Sequence, residues 1–178
     1  MPIYLFDQAA LYARESDLRI QNLHTGQWNG RIGQGLFTAS DISVGEAISY
    51  YKGEIITPEE NTRRIAQNPE RDGYQIKLSK KFILDCFDEY KKGRCMASFA
   101  NDYRNCLDIT TGVMAQPNAK LIVVNRRNMF NPSKMLRYAY LLATEPIPAF
   151  TEVVCYYGLK FELPLPIFDN FIDLTIDQ

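Results

Sequence analysis

Hydrophobic and polar residues alternate in short runs along most of the chain, and glycine, asparagine and proline residues separate these runs. Such a pattern is typical of β-strands joined by turns. The series begins at Leu18-Arg19-Ile20, and two clear runs follow at 35–39 and 47–51, with Gly45 at the turn between them. We therefore predict a mainly β protein with a few short helices.

Two hairpins are predicted further along the chain. Residues 74–78 alternate polar and apolar side chains as a half-buried strand does, and 81–85 follow as the expected partner strand. The apolar runs 120–124 and 137–143 are separated by a polar segment, 125–134, which indicates the turn of a second hairpin.

The polar turn of the second hairpin carries three basic residues, Arg126, Arg127 and Lys134. A solvated hairpin tip is the simpler explanation for such charges. Docking of an acidic partner is the alternative.

Two segments have helical features. Thr57-Pro58-Glu59-Glu60 combines a capping threonine, a proline at the first helical position and an acid three residues after the cap, and this helix should end near Asn68-Pro69. Near the N-terminus, apolar residues recur at helical spacing: Leu5, Ala9, Tyr12 and Ala13. This spacing predicts a helical appendage over residues 1–17.

The composition fits one folded domain. With 178 residues, of which 46% are hydrophobic and 23% charged, the chain lies near the averages of soluble globular proteins. Its 20 basic and 21 acidic residues give a formal net charge of −1, which provides no bulk positive field for nucleic acid. The start of the chain lacks the features of a signal peptide, and no apolar run reaches about 18 residues. We expect an intracellular protein that binds neither nucleic acid directly nor a membrane.

The four cysteines, Cys86, Cys95, Cys106 and Cys155, show no C-x-x-C spacing, and His24 is the one histidine. Zinc sites usually need four such ligands at short spacing, so the sequence argues against structural zinc, and we expect no metal. Buried free thiols are the expected state of most of these cysteines.

The candidate chemistry begins at Gly33-Gln34-Gly35, a glycine pair that alone is weak evidence of a cofactor site. Its context is more specific. Three motifs follow one another here: Gly33-Gln34-Gly35-Leu36-Phe37, Asp41-Ile42-x-x-Gly45-Glu46 and Tyr51-Lys52-Gly53-Glu54-Ile55-Ile56. In order and spacing they closely resemble the opening motifs of SET-domain lysine methyltransferases.

The resemblance continues toward the C-terminus and covers roughly residues 18–161. The later matching motifs are Phe82-Ile83-Leu84-Asp85, Ala97-Ser98-Phe99-Ala100-Asn101-Asp102, Pro117-Asn118-Ala119, Leu142-Ala143-Thr144 and Glu152-Val153-Val154-Cys155-Tyr156-Tyr157-Gly158. The resemblance implies a SET fold of several small curved sheets, with a pseudoknot near the C-terminus. It also implies a SET domain at 18–161, preceded by the appendage 1–17 and followed by a tail, 162–178, as a possible active-site lid.

By position, the resemblance implies that Tyr157 is the catalytic residue and that Tyr51 lines the lysine channel. The residues implied to contact the cofactor, S-adenosylmethionine, are Ile32, Gly33, Gln34, Gly35, Tyr74, Asn101, Asp102 and Phe161. Within this set, Asn101 would bind the ammonium group and residue 102 would pair with adenine. Structural alternatives remain, because buried tyrosines are usually core aromatics and asparagine often caps a turn.

Methyl transfer to lysine explains why the family needs such residues. The amine must lose a proton and approach the sulfonium methyl in line, and a narrow apolar channel favours the neutral amine by desolvation. Tyrosine hydroxyls can orient that amine and stabilise the partly positive methyl without introducing a formal negative charge.

The sequence departs from the family pattern at several positions. Asp102 replaces a histidine, Ser98 replaces an arginine and Phe150 replaces a turn glycine, while residues 103–116 form an insertion. Cys155 stands where the family carries phenylalanine or tyrosine as a switch on the number of methyl groups. A smaller side chain there predicts di- or trimethylation.

The lead hypothesis is a SET-type protein-lysine N-methyltransferase acting on a lysine-bearing basic segment such as a histone tail, with nuclear residence if the target is chromatin. Acidic residues in the tail 162–178 would attract such a segment, although solubilising an apolar tail explains them equally well. The alternative is a catalytically silent SET module that binds a peptide or partner. A nucleic-acid-binding β-domain is disfavoured by the neutral charge.

Overall fold

Short strands make up most of the protein. A computed structural model describes residues 10–21, 27–104, 106–128, 130–131 and 133–156. The strands in these ranges are β1 (Leu11–Glu15), β2 (Leu18–Gln21), β3 (Trp28–Arg31), β4 (Gln34–Thr38), β5 (Ala47–Tyr50), β6 (Glu54–Ile56), β7 (Gln75–Lys77), β8 (Ile83–Asp85), β9 (Asn101–Asp102), β10 (Cys106–Asp108), β11 (Val113–Met114), β12 (Ala119–Arg127), β13 (Met135–Ala143) and β14 (Glu152–Cys155). The helices are α1 (Pro58–Gln67), α2 (Phe87–Lys91) and the 3-10 helices Pro69–Tyr74 and Met96–Phe99.

The strands form four small sheets with the orders β1-β4-β14-β9, β11-β10-β2-β3, β12-β13-β5 and β6-β8-β7. This confirms the predicted mainly β fold with a few short helices. Strand β14 lies between β4, to which it is antiparallel, and β9, to which it is parallel. The pseudoknot predicted near the C-terminus stays a prediction.

The predicted helix over residues 1–17 is wrong for its second half, because residues 11–15 form strand β1, which pairs with β4. Tyr12 and Arg14 point to the same side of this strand and both contact Phe37: the Tyr12 ring stacks at 5.7 Å, and the Arg14 guanidinium lies 3.6 Å from the ring centroid. The helical spacing was therefore misleading, because pairing along an open sheet edge outweighed local periodicity. Residues 1–9 lie outside the described part of the chain.

The predicted helix over 57–68 and both hairpins are confirmed, but the turn of the second hairpin is shorter than predicted, because Arg126 and Arg127 belong to the paired strand β12. Helix α1 begins after Thr57, whose hydroxyl accepts a hydrogen bond from the Glu60 backbone at 3.3 Å, and it ends at Gln67. Strands β7 and β8 form one hairpin, and β12 and β13 form a longer one. Within the insertion 103–116, strands β10 and β11 extend the sheet of β2.

The principal core lies between the sheets and gathers buried apolar side chains from strands that are distant in sequence. Its largest fully buried members are Leu36, Leu141, Ile147 and Val153, none more than 1% exposed. All four cysteines are buried free thiols, as predicted. Among the described residues, no helix has the length and apolar character needed to cross a membrane.

Helix α1 and the 3-10 helix that follows it are both fastened to the sheet β6-β8-β7 by ion pairs that meet at Asp85, through Arg64 of α1 and Arg71 of the 3-10 helix. This carboxylate, whose side chain is 1% exposed, accepts from Arg64 at 3.1 Å and from Arg71 at 2.8 Å. It also accepts from the backbone N–H of Phe87 at 3.2 Å. Arg71 reaches onward to Asp88, which is 55% exposed.

Replacement of Asp85 by alanine should therefore loosen α1. We expect a loss of about 3 kcal/mol in the free energy of unfolding, the lower end of the range for breaking a buried pair, because both guanidinium groups keep some contact with water. Chemical denaturation measures this change in the free energy of unfolding. Asp88→Ala is the matched control and should cost several times less, since exposed ion pairs contribute little. Equal losses in the two variants would contradict the buried network.

Candidate functional site

The glycine segment follows β3 and opens strand β4. Gly33 adopts a φ of +101°, a conformation that suits glycine, and a Cβ there would meet no atom within 4 Å. Two backbone bonds hold the segment: Ser16 N donates to Gly33 O at 2.8 Å, and Ile32 N donates to Leu18 O at 3.2 Å. The Ile32 side chain packs against a small core cluster with Leu18. The loop is thus fixed through its neighbours, and no described residue occupies the space beside Gly33.

The side-chain amide of Asn101 donates both of its hydrogens to acceptors of the protein. Nδ2 donates to the backbone oxygen of Gln34 at 3.0 Å and to Oε1 of Glu152 at 3.0 Å. Both hydrogens of this amide are then in use. No described residue donates to its Oδ1. Within the described part of the chain, Oδ1 is thus an acceptor without a partner beside the glycine segment, an arrangement that suits a cationic donor such as an ammonium group.

Glu152 is a buried carboxylate at the start of β14 and is 7% exposed. Besides Asn101, it accepts from Ser16 Oγ at 2.7 Å and from Asp17 N at 2.8 Å. Burial raises the pKa of Glu152, and the hydrogen bonds from Asn101, Ser16 and Asp17 oppose this rise. In the sequence, Glu152 was recognisable only as part of a motif, and Ser16 was not identified. The one available signal for Glu152 was a charged residue at the start of a strand of apolar residues.

Asp102, at the family's histidine position, is paired with Arg104. Its Oδ1 accepts from Arg104 Nε and its Oδ2 from an Nη of the same guanidinium, both at 2.8 Å. This interaction raises the pKa of Arg104. Arg104 is 9% exposed and lies 4.6 Å from the ring centroid of Tyr156. The Asp102 side chain is therefore held by Arg104, while its backbone belongs to β9, next to Cys155.

Tyr51 lies at the junction of two core clusters and is half-buried. Its backbone N–H donates to Ala139 O at 3.0 Å. The next residue, Lys52, donates its backbone N–H to Cys95 Sγ at 3.2 Å, and Ser98 Oγ lies 3.0 Å from the same sulfur. Hydrogen bonds, first from Cys86 and then from Ser98 and Lys52, lower the pKa of Cys95. Ser98 thus takes part in a thiol network where the family carries arginine.

Tyr74 belongs to an aromatic cluster. Its ring stacks on Tyr90 at 4.2 Å and meets Phe87 edge-on at 5.5 Å, while Tyr90 in turn lies 4.9 Å from Phe99. Burial and the hydrogen bond with Tyr90 raise the pKa of Tyr74. These contacts support the structural alternative for Tyr74. Its role toward the cofactor stays a prediction.

Phe150 keeps the turn conformation that the family's glycine would supply. It has a φ of +66°, its side chain is 69% exposed, and its backbone N–H donates to Thr38 O at 2.6 Å. A left-handed conformation at a non-glycine residue costs about 1 kcal/mol or more. Phe150 therefore places a strained left-handed residue in this turn.

The remaining predicted residues divide into two groups. Cys155 is fully buried in the principal core, against which Tyr51 packs. Tyr157 and Phe161 lie outside the described residues, so their predicted roles stay predictions. The structure brings Gly33, Gln34, Gly35 and Asn101 to one place, with Asp102 adjacent in β9.

Comparison with known proteins shows the family and the fold of this chain. The family model described as SET domain matches residues 33–158, more than half of the chain. One similar solved structure is Chaetomium thermophilum Polycomb Repressive Complex 2 bound to GSK126, at a TM-score of 0.55 and 20% identity, covering 86% of this chain and 16% of that chain. Another is apo ctPRC2 with two mutations in Ezh2, at a TM-score of 0.54 and 20% identity, covering 85% and 15%. No curated protein matches the sequence.

These observations define a mainly β domain with a glycine segment and an asparagine amide at one site. The chain belongs to the SET-domain family, a family of methyltransferases. At 20% identity, the similar structures show the fold alone. The chain spans about a sixth of the length of those chains.

Gly35 tests how closely the site is packed. A Cβ at this position would collide with the carboxylate of Glu152, whereas a Cβ at Gly73 would meet no atom within 4 Å. We expect Gly35→Ala to lower the free energy of unfolding by about 1–3 kcal/mol, because the carboxylate must leave its donors. Gly73→Ala, the control, should leave stability nearly unchanged. Thermal unfolding measures both; a Gly35→Ala variant as stable as the parent would contradict this packing.

Proposed function

We propose that this protein transfers a methyl group from S-adenosylmethionine to the side-chain amine of a protein lysine. The observation that carries the proposal is the Asn101 amide, whose two hydrogens are bound by Gln34 and Glu152 while its oxygen has no partner among the described residues. Membership of the SET-domain family supports the same reading. Fold alone would not carry it, because folds host many functions.

The donor set fits the cofactor at its amino-acid end. Asn101 Oδ1 is an acceptor for the ammonium group, and backbone groups of residues 32–35 lie beside the open space at Gly33. When bound, S-adenosylmethionine supplies an electrophilic methyl on a sulfonium. Asp102 would contact adenine through its backbone, since Arg104 holds its side chain. Tyr74 and Phe161 complete the proposed cofactor contacts.

The lysine side of the reaction is assigned to Tyr51 and Tyr157. Tyr51 lies against both apolar clusters, an environment that favours the neutral amine over the ammonium form by desolvation. The Tyr157 hydroxyl would orient the amine and stabilise the methyl as positive charge develops. Neither hydroxyl carries a formal charge that would keep the lysine protonated.

The proposed substrate is a basic, lysine-bearing protein segment, with a histone tail as the first candidate. The two similar structures are those of ctPRC2 and of Chaetomium thermophilum Polycomb Repressive Complex 2, but this chain covers about a sixth of those chains. The acidic residues of the tail 162–178 offer charge complementarity to such a segment. If the target is chromatin, the protein acts in the nucleus.

The second candidate is a catalytically silent SET module that binds a peptide or partner. The Asp102–Arg104 pair favours it, because it replaces the family's histidine with a side chain committed to a neighbour. Measurement of methyl transfer distinguishes the active methyltransferase from the silent module.

The decisive experiment incubates the protein with labelled S-adenosylmethionine and core histones, in parallel with Tyr157→Phe. We expect label in protein for the parent chain and a loss of about 10²-fold or more in the variant, because the hydroxyl that assists the transition state is gone. Tyr156→Phe is a matched control for the loss of an adjacent hydroxyl. Cofactor binding without transfer to any tested protein would favour the silent module.

Cys155 makes the number of transferred methyl groups testable. Its small side chain leaves more room than the aromatic residue common in the family, so we expect dimethyl- or trimethyl-lysine by mass spectrometry of a good peptide substrate. Cys155→Phe should shift the products toward monomethyl-lysine, and Cys155→Ser should not. Folding of both variants is checked by thermal unfolding, because the position is fully buried. Monomethyl-lysine alone from the parent, even at long times, would contradict this assignment.

A further inference from the structure

The turn between β1 and β2 lies before the region that matches the SET family, which begins at residue 33. Its central residue, Ser16, is fully buried. The Ser16 hydroxyl donates to Glu152 Oε1 and accepts from Leu18 N at 3.0 Å, while its backbone N–H donates to Gly33 O. Ser16 therefore links the turn to both the glycine segment and Glu152: its hydroxyl bonds to Glu152 and to the turn, and its backbone N–H bonds to the glycine segment.

The Glu152 carboxylate is held from several directions. Oε1 is shared by Ser16 Oγ and Asn101 Nδ2, and Oε2 accepts from Asp17 N. Gly35 packs so closely against the carboxylate that a Cβ would collide with it. These contacts leave the carboxylate little freedom to rotate.

The orientation of the Asn101 amide depends on this carboxylate. An asparagine amide can rotate by 180° and exchange its oxygen with its nitrogen. Here two acceptors, Gln34 O and Glu152 Oε1, both require the nitrogen, so the oxygen is the atom that remains available. Without Glu152 one of these two constraints is lost, and the reversed amide would present hydrogens to a cation.

We propose that Ser16 and Glu152 are positioning residues for the cofactor: they fix the Asn101 amide so that its oxygen faces the ammonium group. This inference rests on the proposed function. Neither residue needs to touch the cofactor, since both are buried. Glu152 also contributes negative charge near the ammonium, whereas Ser16 contributes position alone. Loss of Glu152 should therefore cost more affinity than loss of Ser16.

The test compares two ligands by calorimetric titration. S-adenosylhomocysteine carries the ammonium group; 5′-methylthioadenosine keeps the adenosine and the sulfur but lacks the amino-acid part. We expect Glu152→Gln to weaken S-adenosylhomocysteine by about tenfold or more and Ser16→Ala by about threefold, the range of single hydrogen bonds to charged and neutral groups. Affinity for 5′-methylthioadenosine should stay within about twofold for both variants, by the same reasoning.

Thr38→Val is the matched control. Thr38 is also fully buried and lies on β4, but its hydroxyl bonds only to Ser40 among the described residues. This variant should lose stability in thermal unfolding and bind both ligands as the parent does. Should Glu152→Gln fail to fold, Ser16→Ala and Thr38→Val carry the comparison.

The outcomes separate the two claims. Selective loss of S-adenosylhomocysteine affinity in the Ser16 and Glu152 variants supports the positioning role. Equal losses for both ligands, or no loss with lowered stability only, would overturn that role and leave the proposed function intact. Failure of the parent protein to bind S-adenosylhomocysteine would instead refute the proposed function.

Discussion

The candidate site depends on one buried charge, the carboxylate of Glu152. A carboxylate at 7% exposure is costly unless donors compensate the lost water, and here a hydroxyl, a backbone N–H and an amide do so. Ser16 and Asp17 supply two of the donors from the turn after β1, and Asn101 supplies the third from β9, so two distant segments of the chain meet at this carboxylate. The same interaction therefore satisfies the buried charge and brings these segments together beside Gly35.

The sequence predicted those parts of the fold that are determined by contacts between residues close together in the chain. The Thr57 cap, the end of α1 and the hairpins β7–β8 and β12–β13 follow from capping chemistry and alternation over a few residues. The motif order likewise placed Asn101 and Gly33 in one site, because the family resemblance carries long-range information that periodicity lacks.

Features that depend on distant pairing were not predictable in the same way. Strand β1 was mistaken for helix because its spacing of apolar residues fits both forms, and pairing with β4 decided between them. Strands β4 and β5 adjoin in sequence yet belong to different sheets. The link from Ser16 to Glu152 left no local signal, because neither residue needs a particular neighbour in sequence to form it. Tyr157 lies beyond the described residues, and its assignment still rests on the motif.

The position of β14 between β4 and β9 has a consequence for how the protein acquires its site. Ser16 and Glu152 are separated by 136 positions along the chain, so the contact forms only after a long segment of chain has been closed into a loop. Closing such a large loop costs conformational entropy, and a topology rich in such long-range contacts folds slowly. Until β14 pairs with β4 and β9, the edges of these two strands are open to pairing with other chains. Chaperones protect folding chains from aggregation through such open edges. The contacts of Glu152 that hold the candidate site together should thus be among the last parts of the described structure to form.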